Sequence, residues 1–147
     1  MTKYKNSMKI IVPSYSTNEA FGRVAVAAFV AQLDPTLEEM NDIKTAVSEA
    51  VTNCIVHAYR NTIGNIYITA NITAENVVII RIRDTGCGIE DIAKAKEPLF
   101  TTAGGERAGL GFAVMESFMD SLKVSSRPGK GTTVIMKKRI VSRNGNE

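Results

Sequence analysis

A chain of 147 residues with 44% apolar content has the length of one domain and the composition of an ordinary globular protein. A domain that size buries roughly 68–70% of its unfolded surface, enough for a real core. Net charge is +3 with acids and bases interspersed, a weak hint of an acidic partner and a poor case for nucleic acid. No apolar run approaches the ~18 residues of a membrane span, and the opening MTKYKNSMKIIVPS lacks the apolar stretch of a signal peptide. The expectation is therefore a single domain over residues 1–147, cytoplasmic, without membrane contact. Cys54 and Cys87 are too few and too unpatterned for a disulfide framework or a zinc site, and two thiols suit a reducing compartment.

In chain order, residues 8–12 (MKIIV) read as a first strand. Ser16 to Glu19 has the spacing of a capping box, in which side chain and backbone satisfy each other at a helix start. Phe21, Val24, Ala25, Ala28, Phe29 and Leu33 then recur at helical spacing. Asp34-Pro35 ends that helix and starts a longer one, about 36 to 60. Its buried stripe is Met40, Ile43, Val47, Ala50, Val51 and Cys54. The period then changes to two at Ile66, Ile68, Ala70 and Ile72. The turn Ala74-Glu75-Asn76 joins that strand to VVIIRIR at 77–83 as a hairpin. Residues 85–108 hold several glycines and little periodicity, which suits a functional loop. A helix is expected from near Gly109 to about Asp120, followed by a second hairpin, 122–126 and 132–139 around RPGKG. Early helices and paired strands predict an α+β, two-layer α/β sandwich: a mostly antiparallel mixed sheet with helices on one face. The basic run from Lys137 to Arg143 reads as a solvated tail.

Four constellations carry possible chemistry. Glu49 and Asn53 lie four residues apart on the long helix and share a face. A carboxylate there could serve as a general base, and an amide oxygen beside it suits Mg²⁺. A solvated helix face is the plainer reading of the pair taken alone. Asp84-Thr85-Gly86-Cys87-Gly88 follows an apolar strand directly, so the carboxylate could accept from an exocyclic amine while bare backbone passes a ring. A common Asp/Gly turn explains it equally. Gly105 to Gly111 runs glycine-rich backbone into a helix start, where free N–H groups and the dipole favour phosphate and Arg107 could clamp it. It is neither a P-loop nor a dinucleotide fingerprint. Gly129-Lys130-Gly131-Thr132-Thr133 is explained by a hairpin turn, the plainer reading, although Thr132 and Thr133 could also reach the pocket. His57, the only histidine, sits one turn beyond Asn53 and reads as a packed or surface residue.

Together and in this order, Glu49-x-x-x-Asn53, Asp84-x-Gly86-x-Gly88, Gly109-x-Gly111 and Gly131-Thr132 resemble the ATPases shared by gyrase, Hsp90, sensor histidine kinases and MutL. The segments around Phe29 to Pro35, Ser48 to Asn53, Pro98 to Thr102 and Gly111 to Asp120 resemble the bacterial anti-sigma-factor kinases, nearest the sporulation sigma-F branch, with the stress-response sigma-B branch as the alternative. The resemblance implies an ATP-binding protein serine kinase using ATP and Mg²⁺, with Glu49 as general base and Asn53 as metal ligand. It implies that Asp84 bonds adenine in a pocket shaped by Gly86 and Gly88, and that Thr101, Thr102 and Thr132 line the nucleotide. Arg107 would contact the terminal phosphate, Gly109 and Gly111 would donate backbone N–H groups, and Arg23 would grip protein partners. Those partners would be a sigma factor, an anti-anti-sigma protein phosphorylated on serine, and a second copy of the chain. A nucleotide-gated binding module without catalysis is the other class that such a pocket allows. Residues 103–105 are one position shorter and richer in glycine than the family pattern.

Overall fold

A computed structural model describes residues 4–89 and 105–141, with side chains from residue 111 onward in the second stretch. Five strands form one sheet: β1 (Tyr4–Pro13), β2 (Asn65–Thr73), β3 (Val77–Arg83), β4 (Ser121–Arg127) and β5 (Gly131–Arg139), in the order β1-β2-β3-β5-β4. Every neighbouring pair is antiparallel, so the expected mixed sheet is purely antiparallel among the described residues. The physical reason is connectivity. The hairpins β2–β3 and β4–β5, the edge pairing β1–β2 and the central pairing β3–β5 supply all the neighbours, and none of them is parallel.

Among the described residues three α-helices cover one face: α1 (Thr17–Val30), α2 (Leu37–Thr52) and α3 (Gly105–Phe118). Strand alternation builds the interface beneath them. Ile66, Ile68, Ala70 and Ile72 of β2 and Val78, Ile80 and Ile82 of β3 point inward and are buried. They meet Ile43, Ala46, Val47, Ala50 and Val51 of α2, and Phe112 and Met115 of α3. Each of the Val, Ile, Phe and Met side chains, fully buried, contributes about 1.5–3 kcal/mol relative to exposure.

Two local expectations change. The capping box does not form at Ser16, whose backbone is already helical and whose side chain makes no cap bond. It forms at Thr36 instead: the Glu39 N–H donates to Thr36 Oγ1 at 3.0 Å and the Thr36 N–H to Glu39 Oε1 at 2.8 Å. In α1 the buried stripe is Gly22, Val26 and Val30, while Phe21 and Val24 are half-exposed. Small residues around this helix let either face pass for the inner one. Close approach chose the face, because a Cβ on Gly22 would stand 3.0 Å from Ile68 Cδ1 of the sheet.

Candidate functional site

The long helix delivers the first two residues. α2 ends at Thr52, and its backbone widens into a π-helix over Asn53–Ala58, closed by the Tyr59 N–H donating to Cys54 O at 3.1 Å. Such π-turns recur at functional sites because they re-aim side chains without ending the helix. Asn53 heads the turn. Its Oδ1 and Nδ2 are both buried, and neither has a hydrogen-bond partner among the described residues. A buried amide left unpaired costs on the order of 1–3 kcal/mol per group, which makes Asn53 a candidate ligand position.

Glu49 lies one turn before it, half-buried. Gly111 of α3 crosses directly over the pair. A Cβ at Gly111 would stand 3.2 Å from Asn53 Oδ1, 3.2 Å from Asn53 Nδ2 and 3.2 Å from Glu49 Oε1. The absence of a side chain therefore leaves the acid and the amide a clear space between two helices. On its other side Glu49 borders a hollow of about 280 Å³, lined also by Ser48, Thr45, Lys44 and Asn41 of α2 and by Arg23 of α1. Arg23 Nε donates to Glu19 Oε2 at 3.0 Å. Burial pushes the Glu19 carboxyl up, but the Ser48 hydroxyl and Arg23 outweigh it and hold the group below its ordinary value.

Asp84 sits at the end of β3 and is 5% exposed. Its Oδ1 accepts from the Gly86 N–H at 2.9 Å and the Thr132 N–H at 3.2 Å. Burial raises its pKa, while those two N–H groups, the Cys54 thiol and the Arg83 charge partly restore the ionised form; the net shift is upward. Burial and the nearby Asp84 charge push the Cys54 thiol well up in turn. Asn53 and Cys54 are consecutive residues of the π-helix, so the thiol that meets Asp84 stands next in the chain to the amide.

The glycines around Asp84 are required by close approach. Gly86 packs its bare Cα against the Ala58 carbonyl, and the Cys87 N–H donates to that carbonyl at 3.0 Å. Gly88, at φ +75°, and Gly131, at φ +114°, sit where a Cβ would collide with the carbonyls of Arg127 and Asp84 respectively. Thr132 is buried, and its Oγ1 lies 2.8 Å from Ser126 Oγ.

Cys54, Ser126 and Tyr59 are the supports that sequence reasoning missed. Ser126 Oγ accepts from the Ile89 N–H at 2.8 Å and donates to Gly131 O at 2.9 Å. Its signal was present, since a serine on the inward phase of Leu122 and Val124 needs polar partners. The Tyr59 hydroxyl accepts from the Thr85 N–H at 2.8 Å and donates to Asn65 O at 2.5 Å.

The third constellation is relocated. α3 begins at Gly105, four residues before the expected start. Its free N–H groups are those of the first four helical residues, 105–108. Gly109 and Gly111 lie inside the helix with committed N–H groups, and Gly111 contributes space instead. Arg107 is in the first turn of α3, with its side chain outside the described residues. Thr101 and Thr102 also lie outside the described residues.

Among the described residues no cluster of three or more His, Cys, Asp or Glu could hold a metal. A lone amide oxygen suits Mg²⁺, which takes one or two protein ligands and completes its shell with phosphates and water. The Asn53 amide oxygen thus fits a nucleotide-bound Mg²⁺.

The profile of the Histidine kinase-like ATPase domain matches residues 16–138, a span that holds Glu49, Asn53, Asp84, Gly111 and Thr132. The chain is 60% identical over 139 residues to an Anti-sigma F factor of Caldanaerobacter subterraneus subsp. tengcongensis, covering 94% of this chain and 96% of that one. It is 57% identical over 136 residues to the Anti-sigma F factor of Clostridium kluyveri, covering 92% and 95%. In structure it resembles a Mycobacterium tuberculosis protein containing RsbU and RsbW domains, with TM-score 0.68 and 18% identity over 92% of this chain and 33% of that one. A histidine kinase domain from the Erythrobacter litoralis EL346 blue-light activated histidine kinase gives TM-score 0.54 and 19% identity, over 83% of this chain and 60% of that one.

Proposed function

Because the chain belongs to the anti-sigma F factors, a family built on the histidine kinase-like ATPase domain, we propose that it is an ATP-dependent protein serine kinase that also sequesters a sporulation sigma factor. Residues 1–147 act as one ATP-binding domain, working as a homodimer, and the phosphorylated partner is a small anti-anti-sigma protein. The observation that supports this most is the Asn53 amide, buried and unpaired beside Glu49 under the bare backbone of Gly111.

Mg·ATP, when bound, supplies the γ-phosphoryl group and neutralises the charge that its transfer develops. The chain's residues do the rest. Asn53 Oδ1 offers the metal its protein ligand. Asp84, held by the Gly86 and Thr132 N–H groups, accepts from the adenine amine, with Gly86 and Gly88 giving the ring its space. Thr132 and the segment carrying Thr101 and Thr102 line the nucleotide. The free N–H groups at the start of α3 and the Arg107 guanidinium receive the terminal phosphates. Glu49 takes the proton from the incoming serine hydroxyl. Arg23, on the rim of the hollow that Glu49 borders, meets the protein partner.

The test mixes the protein with γ-labelled Mg·ATP and an extract of the source cell. Label on one small protein as phosphoserine, absent with Asn53→Ala, is the expected result. Normal ATP binding with no phosphoserine on any protein would replace the kinase by a nucleotide-gated binding module.

A further inference from the structure

The π-turn that begins at Asn53 ends against the loop that follows Asp84. β3 stops at Arg83, and the sheet still places Asp84, whose N–H donates to Thr132 O at 2.9 Å. Beyond it the backbone leaves the sheet, and its next N–H groups need acceptors elsewhere. The Gly86 N–H turns back to Asp84 Oδ1 at 2.9 Å. The two on either side of it go to the end of the π-turn. The Cys87 N–H donates to Ala58 O at 3.0 Å, and the Thr85 N–H donates to the Tyr59 hydroxyl at 2.8 Å. Tyr59 is itself fixed. It is 6% exposed, its hydroxyl donates to Asn65 O at 2.5 Å at the start of β2, and its carbonyl accepts from the Thr62 N–H at 2.7 Å. Its ring packs on Gly64, where an added Cβ would collide with it. One residue thus ties the turn that carries Asn53 to the loop that carries Gly86 and Gly88.

On the reading that Asp84 accepts from the adenine amine, we propose that Tyr59 is a positioning residue for base selection. Its hydroxyl fixes where the Thr85–Gly88 backbone stands relative to the Asp84 carboxylate, and the carboxylate can then tell a purine with an exocyclic amine from one without. Asp84 Oδ1 accepts two N–H groups, from Gly86 and Thr132. A carboxylate offers about four lone-pair sites, so these bonds and the Cys54 thiol orient the group and leave room for an incoming amine. The Thr132 donor belongs to β5, whereas the Gly86 donor moves with Thr85. Without the Tyr59 hydroxyl the Thr85 N–H has lost its acceptor and turns to water, drawing the Gly86 N–H off Oδ1. The carboxylate then turns away from the line of the amine. Tyr59→Phe keeps the backbone N–H that closes the π-turn on Cys54 O at 3.1 Å, so Asn53 and the phosphate end of the site stay in place. Gly64→Ala reaches the same hydroxyl from the other side. Its methyl displaces the ring and carries the hydroxyl off the Thr85 N–H without removing a polar atom.

The test compares binding of Mg·ATP with that of Mg·purine riboside triphosphate, which has the same sugar and phosphates and lacks the exocyclic amine. Calorimetric titration of the full chain gives both constants for the parent, Tyr59→Phe and Gly64→Ala, with Tm measured on the same preparations. The parent is expected to bind ATP at least ~10-fold more tightly than the analogue, as a hydrogen bond to a charged group allows. In Tyr59→Phe, ATP affinity should fall about 3–10-fold while analogue affinity stays within about 2-fold of the parent, so the ratio between the two collapses. Gly64→Ala should do the same, and the double variant should lose no more of the ratio than either single one, because both act on one bond. Should Tyr59→Phe not fold, Gly64→Ala decides alone. A merely structural tyrosine would weaken both nucleotides together, and a ratio unchanged from the parent in a folded variant overturns the proposal. Equal binding of the two nucleotides by the parent is a separate failure: it removes Asp84 as acceptor of the amine, and the role of Tyr59 with it.

Discussion

At Gly111 two opposing effects of one methyl group can be weighed. Replacing an interior helical glycine by alanine stabilises a helix by about 0.5–1 kcal/mol. Its Cβ would also stand 3.2 Å from three polar atoms of Glu49 and Asn53, closer than ordinary contact. Overpacking of that kind costs about 1–3 kcal/mol, so the net change in stability is small and the change in function is not. Gly111→Ala is expected to melt within a few degrees of the parent and to bind Mg·ATP at least ~10-fold more weakly, measured by calorimetric titration. Asp84 gives a pH signature. Its folded pKa is raised by burial, so its contribution to stability is full below the ordinary aspartate value near 3.9 and is lost as pH rises through the folded value. Asp84→Asn removes that titration. Its Tm relative to the parent should rise between pH 4 and pH 7, while adenine affinity falls. A Tm difference that does not change with pH would show that the carboxyl is not strained by burial.

At the scale of elements, what was legible followed periodicity. The α2 stripe from Ile43 to Cys54 and the alternation of β2 and β3 each have a period that matches their burial. Boundaries set by competition between neighbours were not legible. Ser16 and Thr36 both have a glutamate three residues on, and only the fold decides that Glu19 turns to Arg23 and Ser48 while Glu39 turns back to its cap. The π-turn at Asn53 has no sequence period of its own, so the coupling of Cys54 to Asp84 was invisible. The start of α3 was hidden because its glycines look like loop. The Thr36 box is worth about 0.5–2 kcal/mol. Thr36→Ala should lower Tm by about 2–4 °C, since ~1 kcal/mol shifts a domain of roughly this length by that much. Calorimetry is the check. No change would mean that Glu39, whose Oε2 also accepts from the Val141 N–H at 2.8 Å, anchors the helix without its cap.

In the whole molecule, the proposed chemistry sits in the helical layer and at the ends of the strands beneath it. The four sequence constellations lie far apart in the chain. The fold brings Glu49, Asn53 and Gly111 to one point, and Asp84, Gly86, Gly131 and Thr132 to another, where Asp84 meets the thiol of Cys54, the residue after Asn53. The spacing made the resemblance readable, but the space under Gly111 and the unpaired Asn53 amide needed the structure. The claim at the centre is that Glu49 acts on the serine proton and not on the nucleotide. The direct test is single-turnover phosphoryl transfer by Glu49→Gln to the purified anti-anti-sigma partner, with ATP affinity measured on the same preparation. A general base contributes about 10²–10⁴-fold to such a step. The account predicts ATP affinity within about 2-fold of the parent and transfer slowed at least ~100-fold. Transfer at the parent rate with ATP bound normally would contradict it.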